Sequence, residues 1–212
     1  AFERFCAGGA DWLEPFCVAG GASAEEADLA RFLQFQLSRQ WDALRTYARD
    51  RGVLLMGDAP IFVALDSVDV GARPELFRLD ADGDPLVLTG CPPDSMNEDG
   101  QLWGHPHFDW AAHRAEGFGW WRARMRRQME LFGALRIDHF IGFRNAWEVP
   151  AGAANARHGA WVETPGEELL EAVEDELGGL PLIAEDLGSV TPEVHELRDR
   201  FGLPGMRILQ WG

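Results

Sequence analysis

Two stretches decide the fold: Ala134-Leu135-Arg136-Ile137-Asp138-His139-Phe140 and Pro181-Leu182-Ile183-Ala184-Glu185-Asp186. Each is a short apolar run that follows a helical pattern closed by glycine and then meets an acidic residue. Before the first, Trp121, Met125, Gln128 and Phe132 share one helical face and Gly133 stops them. Before the second, Thr164-Pro165 with Glu167 reads as an N-cap, a first-turn proline and a capping-box acid, and Leu169, Leu170, Val173 and Leu177 run on to Gly178. The same alternation continues outward in both directions. Upstream, Ser23 and Glu26 form a capping box, and Leu29, Leu33, Leu37, Trp41, Leu44 and Ala48 recur at helical spacing over about seven turns. Gly52 ends that helix, and Val53-Leu54-Leu55-Met56 reads as a buried strand stopping at Gly57-Asp58. Downstream, Thr191-Pro192 opens a helix carrying Val194, Leu197 and Phe201, Gly202 stops it, and Met206 to Trp211 predicts a fourth strand.

Alternating helix and strand means an α/β fold with a parallel sheet and right-handed crossovers. The sheet is open or closed, and the chemistry below favours a (β/α)8 barrel of the TIM type. A full barrel needs eight strands and roughly 250 residues. Four strands in 212 residues predict only the middle strands, about 3 to 6, so residues 1–212 are expected to be a partial catalytic barrel domain that needs the remainder of the barrel as its partner. Residues 62–110 break the alternation, with Asp, Gly and Pro scattered among short apolar runs. Leu76 to Leu79 and Leu86 to Leu88 flank Asp82-Gly83, a hairpin signal. An ordered connection of this length is usually functional, so the segment is expected to be a lid-like insertion over a site.

Composition excludes several classes. With 46% hydrophobic and 25% charged residues the chain is neither fibrous nor disordered. Thirty-five acidic against 19 basic residues give a net charge of −16, and every basic residue is Arg, which argues against nucleic acid and anionic membranes as partners. No run approaches the roughly 20 apolar residues of a membrane span, and no charged-then-apolar leader precedes the first helix. Cys6, Cys17 and Cys91 cannot all pair and have no metal-like spacing, which predicts a reducing, cytoplasmic setting. Nine Trp beside one Tyr is an unusual balance, because indole rings serve both cores and sugar-stacking surfaces.

In parallel sheets the reacting groups gather at the carboxyl ends of strands. Asp58, Asp138 and Glu185 occupy three such ends. Period two puts Arg136 and Asp138 on one face with Ile137 on the other, and Glu185 with Ile183. Strands about 4.8 Å apart bring Asp138 and Glu185 toward the roughly 5 to 5.5 Å separation of retaining glycosidases. The Arg136 guanidinium can orient Asp138 and keep it ionised, as a nucleophile requires. A general acid needs a raised pKa, which burial or a neighbouring Asp138 would give Glu185.

Here the chain resembles a known family. Leu135 to Phe140, Ile183 to Gly188 followed by Thr191-Pro192-Glu193-Val194, Gly57 to Val63, Asp66 to Asp69, Pro92-Pro93-Asp94 and Gly100 to Gly104 resemble, in order and spacing, the motifs of amylomaltases, the 4-alpha-glucanotransferases of glycoside hydrolase family 77. The resemblance runs from about Trp12 to the end of the chain. It implies retaining transfer of α-1,4-glucan segments between maltooligosaccharides through a covalent glucosyl enzyme, in starch, glycogen and maltodextrin metabolism. Asp138 would be the nucleophile and Glu185 the acid/base. Arg136 would steady the nucleophile and Asp58 would bind sugar hydroxyls. Asp94, Gln101 and Trp103 would cover the acceptor side, with His139 and Trp147 also meeting substrate. No cofactor and no metal are implied. The chain departs from the family pattern at Ser95, Met96, Ile141 and Gly71, where the family carries Tyr, an aromatic, Arg and Trp. The family's third catalytic Asp belongs to a His-Asp-Asn motif beyond Gly212. Two other readings stay open: a glucan-binding module or fragment without catalysis, and a hydrolytic α-glucosidase or amylase-like enzyme.

Other constellations have plainer explanations. His105, His107 and His113 around Asp109 imitate metal ligands, but the family uses no metal there. Asp80, Asp82 and Asp84 imitate a calcium loop, yet Pro85 and Cys91 stand where that loop needs Gly and Glu, so a turn is expected. Trp41, Trp120 and Trp121 read as core, and Asp186 as structural.

Overall fold

The computed structural model describes every residue except 96, 189 and 212, with the side chain of Trp211 also outside the description. Helices α1 (Phe2–Gly8), α2 (Ala10–Val18) and α3 (Ala24–Arg49) precede strand β1 (Met56–Pro60). Then come α4 (Val68–Ala72), β2 (Val87–Cys91), β3 (Gln101–Pro106), α5 (Trp110–Ala115), α6 (Gly119–Leu131) and β4 (Ala134–Asp138). Strands β5 (Asn145–Pro150) and β6 (Ala160–Glu163), helix α7 (Gly166–Leu177), β7 (Leu182–Ala184) and α8 (Pro192–Arg200) complete the order.

Strands β1, β4 and β7 form a parallel sheet in that order, with Asp58 opposite Arg136 and Arg136 opposite Ile183. A parallel pair needs a crossover, and α6 and α7 run immediately before β4 and β7. Burial alternates along the strands: Leu135 and Ile137 of β4 and Leu182 and Ala184 of β7 are buried. Trp121 and Met125 from α6 and Leu169, Leu170 and Val173 from α7 belong to the same core. Each such side chain withdrawn from water contributes about 1.5–3 kcal/mol. Gly57 has to be glycine, since a Cβ there would lie 2.4 Å from the Phe132 ring that closes α6. Arg136 and Asp138 stand on the opposite, open face of the sheet.

The second sheet is antiparallel, ordered β3-β2-β5-β6. It takes two strands from the 62–110 segment and two from the chain that follows β4. The Asp80 carboxylate accepts the N–H groups of Asp82 and Asp84, at 2.9 and 3.0 Å, and Leu79 bridges Pro85, so these acids form the turn of a hairpin.

Several expectations need correction. The first strand begins at Met56, and Val53 and Leu54, expected in it, are exposed because they connect α3 to the edge strand of the sheet. The Ser23–Glu26 capping box forms as predicted. The apolar stripe it launches is not core: Leu29, Leu33, Leu37 and Leu44 are 48–57% exposed, since no described element packs over that side of α3. Thr164 does not cap α7; its hydroxyl donates to the Gly142 carbonyl at 2.9 Å instead. Met206 to Trp211 is not a fourth parallel strand. Its only helical turn is 3-10, over Leu209–Trp211, and Leu209 is exposed. Beside the short β7, Ala184 N–H bonds to the Pro204 carbonyl before that segment begins. Strand β4 stops at Asp138 instead of Phe140, because His139 adopts a left-handed backbone (φ 55°) and the chain turns into a 3-10 segment.

Among the tryptophans read as core, Trp121 is fully buried and Trp120 half-buried, while half-buried Trp41 donates its indole N–H to the Leu131 carbonyl at 2.8 Å. No helix among the described residues is long and apolar enough to cross a membrane.

Candidate active site

The carboxyl ends of β1, β4 and β7 bring together Asp58, Arg136, Asp138 and Glu185. Arg136 is the hub. One terminal nitrogen donates to Asp58 at 2.6 Å, the other pairs with Asp138 at 2.8 Å, and Nε lies 3.3 Å from the Met206 sulfur. Burial works against the guanidinium's charge, but the bonds to Asp58 and Asp138 outweigh it and raise its pKa. The fork geometry of Arg lets one side chain hold two carboxylates from neighbouring strands in fixed orientation.

Glu185 continues the β4–β7 register one step beyond Ile137 opposite Ala184, which sets it beside Asp138. Burial raises its pKa above the ordinary carboxylate range, helped by the charges of Asp138 and Asp186, while the His139 N–H and Arg136 pull the other way. The bond from His139 N–H to Glu185 Oε2 is 2.9 Å. The left-handed conformation of His139 places that N–H. A non-glycine residue there costs of order 1–3 kcal/mol, and such strain concentrates at functional sites. Its imidazole is buried and held neutral, with its pKa lowered to about 4 by burial against the opposing charge of Asp138.

Residues 62–110 reach this cluster through rings. Trp103 meets His139 edge-on at 4.8 Å between centroids, and its indole N–H donates to Gln101 at 3.1 Å. Asp94 lies in the exposed β2–β3 turn, where its carboxylate accepts the Asn97 N–H at 2.8 Å. That turn is anchored by Asp99, which accepts from Asn155 at 3.0 Å and Arg157 at 2.6 Å. Gly100 (φ 67°) permits the return into β3, since a Cβ would sit 2.5 Å from the Cys91 carbonyl. Ser95 is exposed, and Met96 lies outside the described residues. Trp147 takes another place: on β5, its N–H bonded to the Ala156 carbonyl at 3.0 Å and its ring edge on Trp161.

Three further neighbours were not among the site residues expected from the sequence. Cys91 Sγ is 4.0 Å from His139 Nδ1, and burial, with Glu185, Asp94 and Asp138 nearby, pushes its thiol up to about 11. Phe62 lies 6.2 Å from Trp103 and 6.5 Å from His139, and Met206 touches Arg136. Among residues with plainer readings, Asp186 is structural: buried, ion-paired with Arg198 and accepting the Met206 N–H at 2.8 Å. Burial opposes its charge, but those bonds prevail and lower its pKa. His107 lies 3.3 Å from the Trp147 carbonyl. His113 is buried among Phe108, Trp110 and Trp120. Of the departures from the family pattern, Ile141 is buried and Gly71 has open space where a side chain would stand.

Carboxylates at adjacent strand ends, one joined to arginine and one with a raised pKa, are the arrangement that the class of retaining glycosidases uses. Comparison with known proteins narrows that class. The chain belongs to the 4-alpha-glucanotransferase family, glycoside hydrolase family 77, whose profile matches residues 19–212. It is 49% identical over 193 residues to the 4-alpha-glucanotransferase of Thermus thermophilus, covering 91% of this chain and 39% of that protein. It is 48% identical over 181 residues to that of Streptococcus pneumoniae serotype 4, covering 85% of this chain and 36% of that protein. Among solved structures, an amylomaltase from Streptococcus agalactiae in complex with acarbose superimposes with a TM-score of 0.92 at 33% identity, covering all of this chain and 49% of that one. The chain thus spans less than half the length of these relatives.

Proposed function

We propose that this chain carries the nucleophile, acid/base and lid of a 4-alpha-glucanotransferase that moves α-1,4-glucan segments between maltooligosaccharides with retention of configuration. The observation that carries the reading is the Arg136 bridge between Asp58 and Asp138, beside a Glu185 whose carboxyl is raised and tied to His139 N–H. In this mechanism Asp138 attacks the anomeric carbon while protonated Glu185 gives its proton to the leaving oxygen. The bond to the leaving sugar breaks as the covalent glucosyl ester forms. Glu185, now ionised, takes a proton from the acceptor hydroxyl as that hydroxyl displaces Asp138. Arg136 orients the nucleophile, and Asp58 accepts hydrogen bonds from sugar hydroxyls. His139, neutral at pH 7, meets the sugar beside Trp103, and the lid with Asp94, Gln101 and Trp103 shields the ester until a sugar hydroxyl arrives. Trp147 acts behind this layer, holding the lid sheet against residues 156–161.

The three parallel strands are successive staves of a (β/α)8 barrel, and the rest of that barrel completes the site. The substrates are neutral polyols, which suits an acidic surface. The setting is the cytoplasm, and neither metal nor cofactor takes part. Maltotriose incubated with the intact protein is expected to yield glucose together with longer oligomers, and Asp138→Asn to abolish both. Glucose without longer products would replace transfer by hydrolysis, and no product at all would leave a glucan-binding module.

A further inference from the structure

The guanidinium of Arg136 is used on three sides. Its two terminal nitrogens meet Asp58 and Asp138, and Nε lies 3.3 Å from the Met206 sulfur. A thioether is a weak acceptor, so it supports Nε without drawing the fork away from the two carboxylates. The backbone that brings Met206 there is itself pinned. The Pro204 carbonyl accepts from Ala184 N–H at 2.9 Å, and Met206 N–H donates to Asp186 at 2.8 Å. Gly205 between them lies against the same carboxylate, where a Cβ would sit 2.5 Å from Asp186 Oδ2. Asp186 is buried and directly follows Glu185. The chain beside β7 therefore holds one sulfur against the hub of the site.

Oxidation is the chemistry open to that sulfur. Met125 is buried in the core, Met129 is half-buried against it, and Met56 is exposed at the start of β1. Among the described residues Met206 is the methionine whose sulfur accepts from a charged group, and it is half-buried, within reach of a small oxidant. We propose that Met206 is a modification site: a hydroperoxide converts its thioether to the sulfoxide, and transfer falls. The sulfur lone pair takes the terminal peroxide oxygen, so an S–O bond forms as the O–O bond breaks. Sulfur is oxidised by two electrons and the peroxide reduced, its remaining oxygen leaving as water or alcohol after taking a proton from solvent. A strong acceptor then faces the guanidinium in place of a weak one, and it adds an atom where Nε and sulfur already touch. The fork turns toward the new oxygen and loses its alignment with Asp58 and Asp138. The effect on transfer rests on the reading of Asp138 as the nucleophile; the effect on Arg136 does not.

The test treats the intact protein with hydrogen peroxide, locates sulfoxides by peptide mass spectrometry and follows kcat/KM for maltotriose alongside. Sulfoxide at residue 206 is expected to track a loss of about tenfold or more. Methionine sulfoxide reductases restore the activity and dithiothreitol does not, which separates the effect from cysteine sulfenic acids. Met206→Leu starts from a lower activity, having lost the support of Nε, but keeps that activity through the treatment. Met56→Leu, Met96→Leu and Met129→Leu lose activity on treatment as the parent does. In Arg136→Leu, oxidation has no further effect. The Arg136 Nε–H resonance, read by nitrogen-15 NMR, shifts on oxidation of the parent and stays in place in treated Met206→Leu. Inactivation that persists in Met206→Leu overturns the inference, as does sulfoxide at residue 206 that leaves either the resonance or an active parent unchanged. A shifted resonance in a protein that never transferred glucan supports the Met206 site while overturning the reading of the reaction centre.

Discussion

Replacing Arg136 by Met keeps an unbranched apolar stem and removes the guanidinium that is the hub of the site. Arg136 makes two charge-assisted hydrogen bonds, 2.6 Å to Asp58 and 2.8 Å to Asp138. Such bonds are worth about 1.5–3 kcal/mol each, and carboxylates that are 63% and 47% exposed belong at the lower end, for a total of about 3 kcal/mol. If that energy holds the nucleophile in its attacking orientation, kcat/KM for maltotriose falls about a hundredfold. A pH signature accompanies the loss. Arg136 is one of the charges that lower the pKa of Glu185, so without it Glu185 rises further. The alkaline limb of kcat/KM, where the general acid loses its proton, then moves to higher pH. Arg136→Lys keeps the charge but not the fork, so the limb stays near its original position and activity recovers only in part. Glucose release from maltotriose across a pH series measures both effects. A Met variant within about threefold of the parent, or a limb that moves to lower pH, would refute this account of Arg136.

Three further outcomes follow from the same geometry. Glu185 holds its proton more tightly in the folded state than in the unfolded one, so its stabilising contribution is complete below the unfolded value of 4.5 and is lost as pH rises through the folded value; Glu185→Gln should therefore raise Tm relative to the parent at pH 8 and scarcely at pH 4, by scanning calorimetry. His113 is buried, and burial lowers its pKa to about 4, opposed by Glu116 and by a hydrogen bond to the Leu76 backbone; stability is thus lost as pH falls from 6.5 toward 4, and His113→Phe should flatten that part of the Tm–pH curve, an unchanged slope counting against it. Asp99→Ala frees the β2–β3 turn from Asn155 and Arg157; product analysis should show several times more hydrolysis per transfer event, and an unaltered ratio would separate the anchor from water exclusion.

How much of this was legible in the sequence differs from element to element. The strand ends at Asp138 and Glu185 were, because period two and glycine stops are local, and the alternation of Leu135, Arg136, Ile137 and Asp138 appears in the burial of β4. The Ser23 capping box was legible for the same reason. Strands β5 and β6 were not. Trp147 pairs with Gly90 and Trp161, and the first of those partners is set by tertiary topology, so no short-range pattern announces it. The stripe on α3 misled because spacing states that a face is apolar but not that anything covers it. The turn at His139 was hidden as well. Nothing in the string Asp138-His139-Phe140 signals a left-handed residue, and only the pull of the Glu185 carboxylate on its N–H gives a reason for it. Cys91, Phe62 and Met206 reached the site through the fold alone.

The antiparallel sheet has a consequence for exchanging parts between relatives. Its two halves come from either side of β4 in the chain: β2 and β3 precede the strand that ends at Asp138, β5 and β6 follow it, and the halves join where β2 pairs with β5. Residues 62–110 are therefore no detachable cassette. A graft of that segment alone would set a foreign β2 against a native β5, breaking the register of Gly90 with Trp147 and Thr89 with Glu148. The unit to exchange is the pair of segments on either side of Asp138 in the chain, so residues 62–110 and the strands that follow β4 have to be moved together.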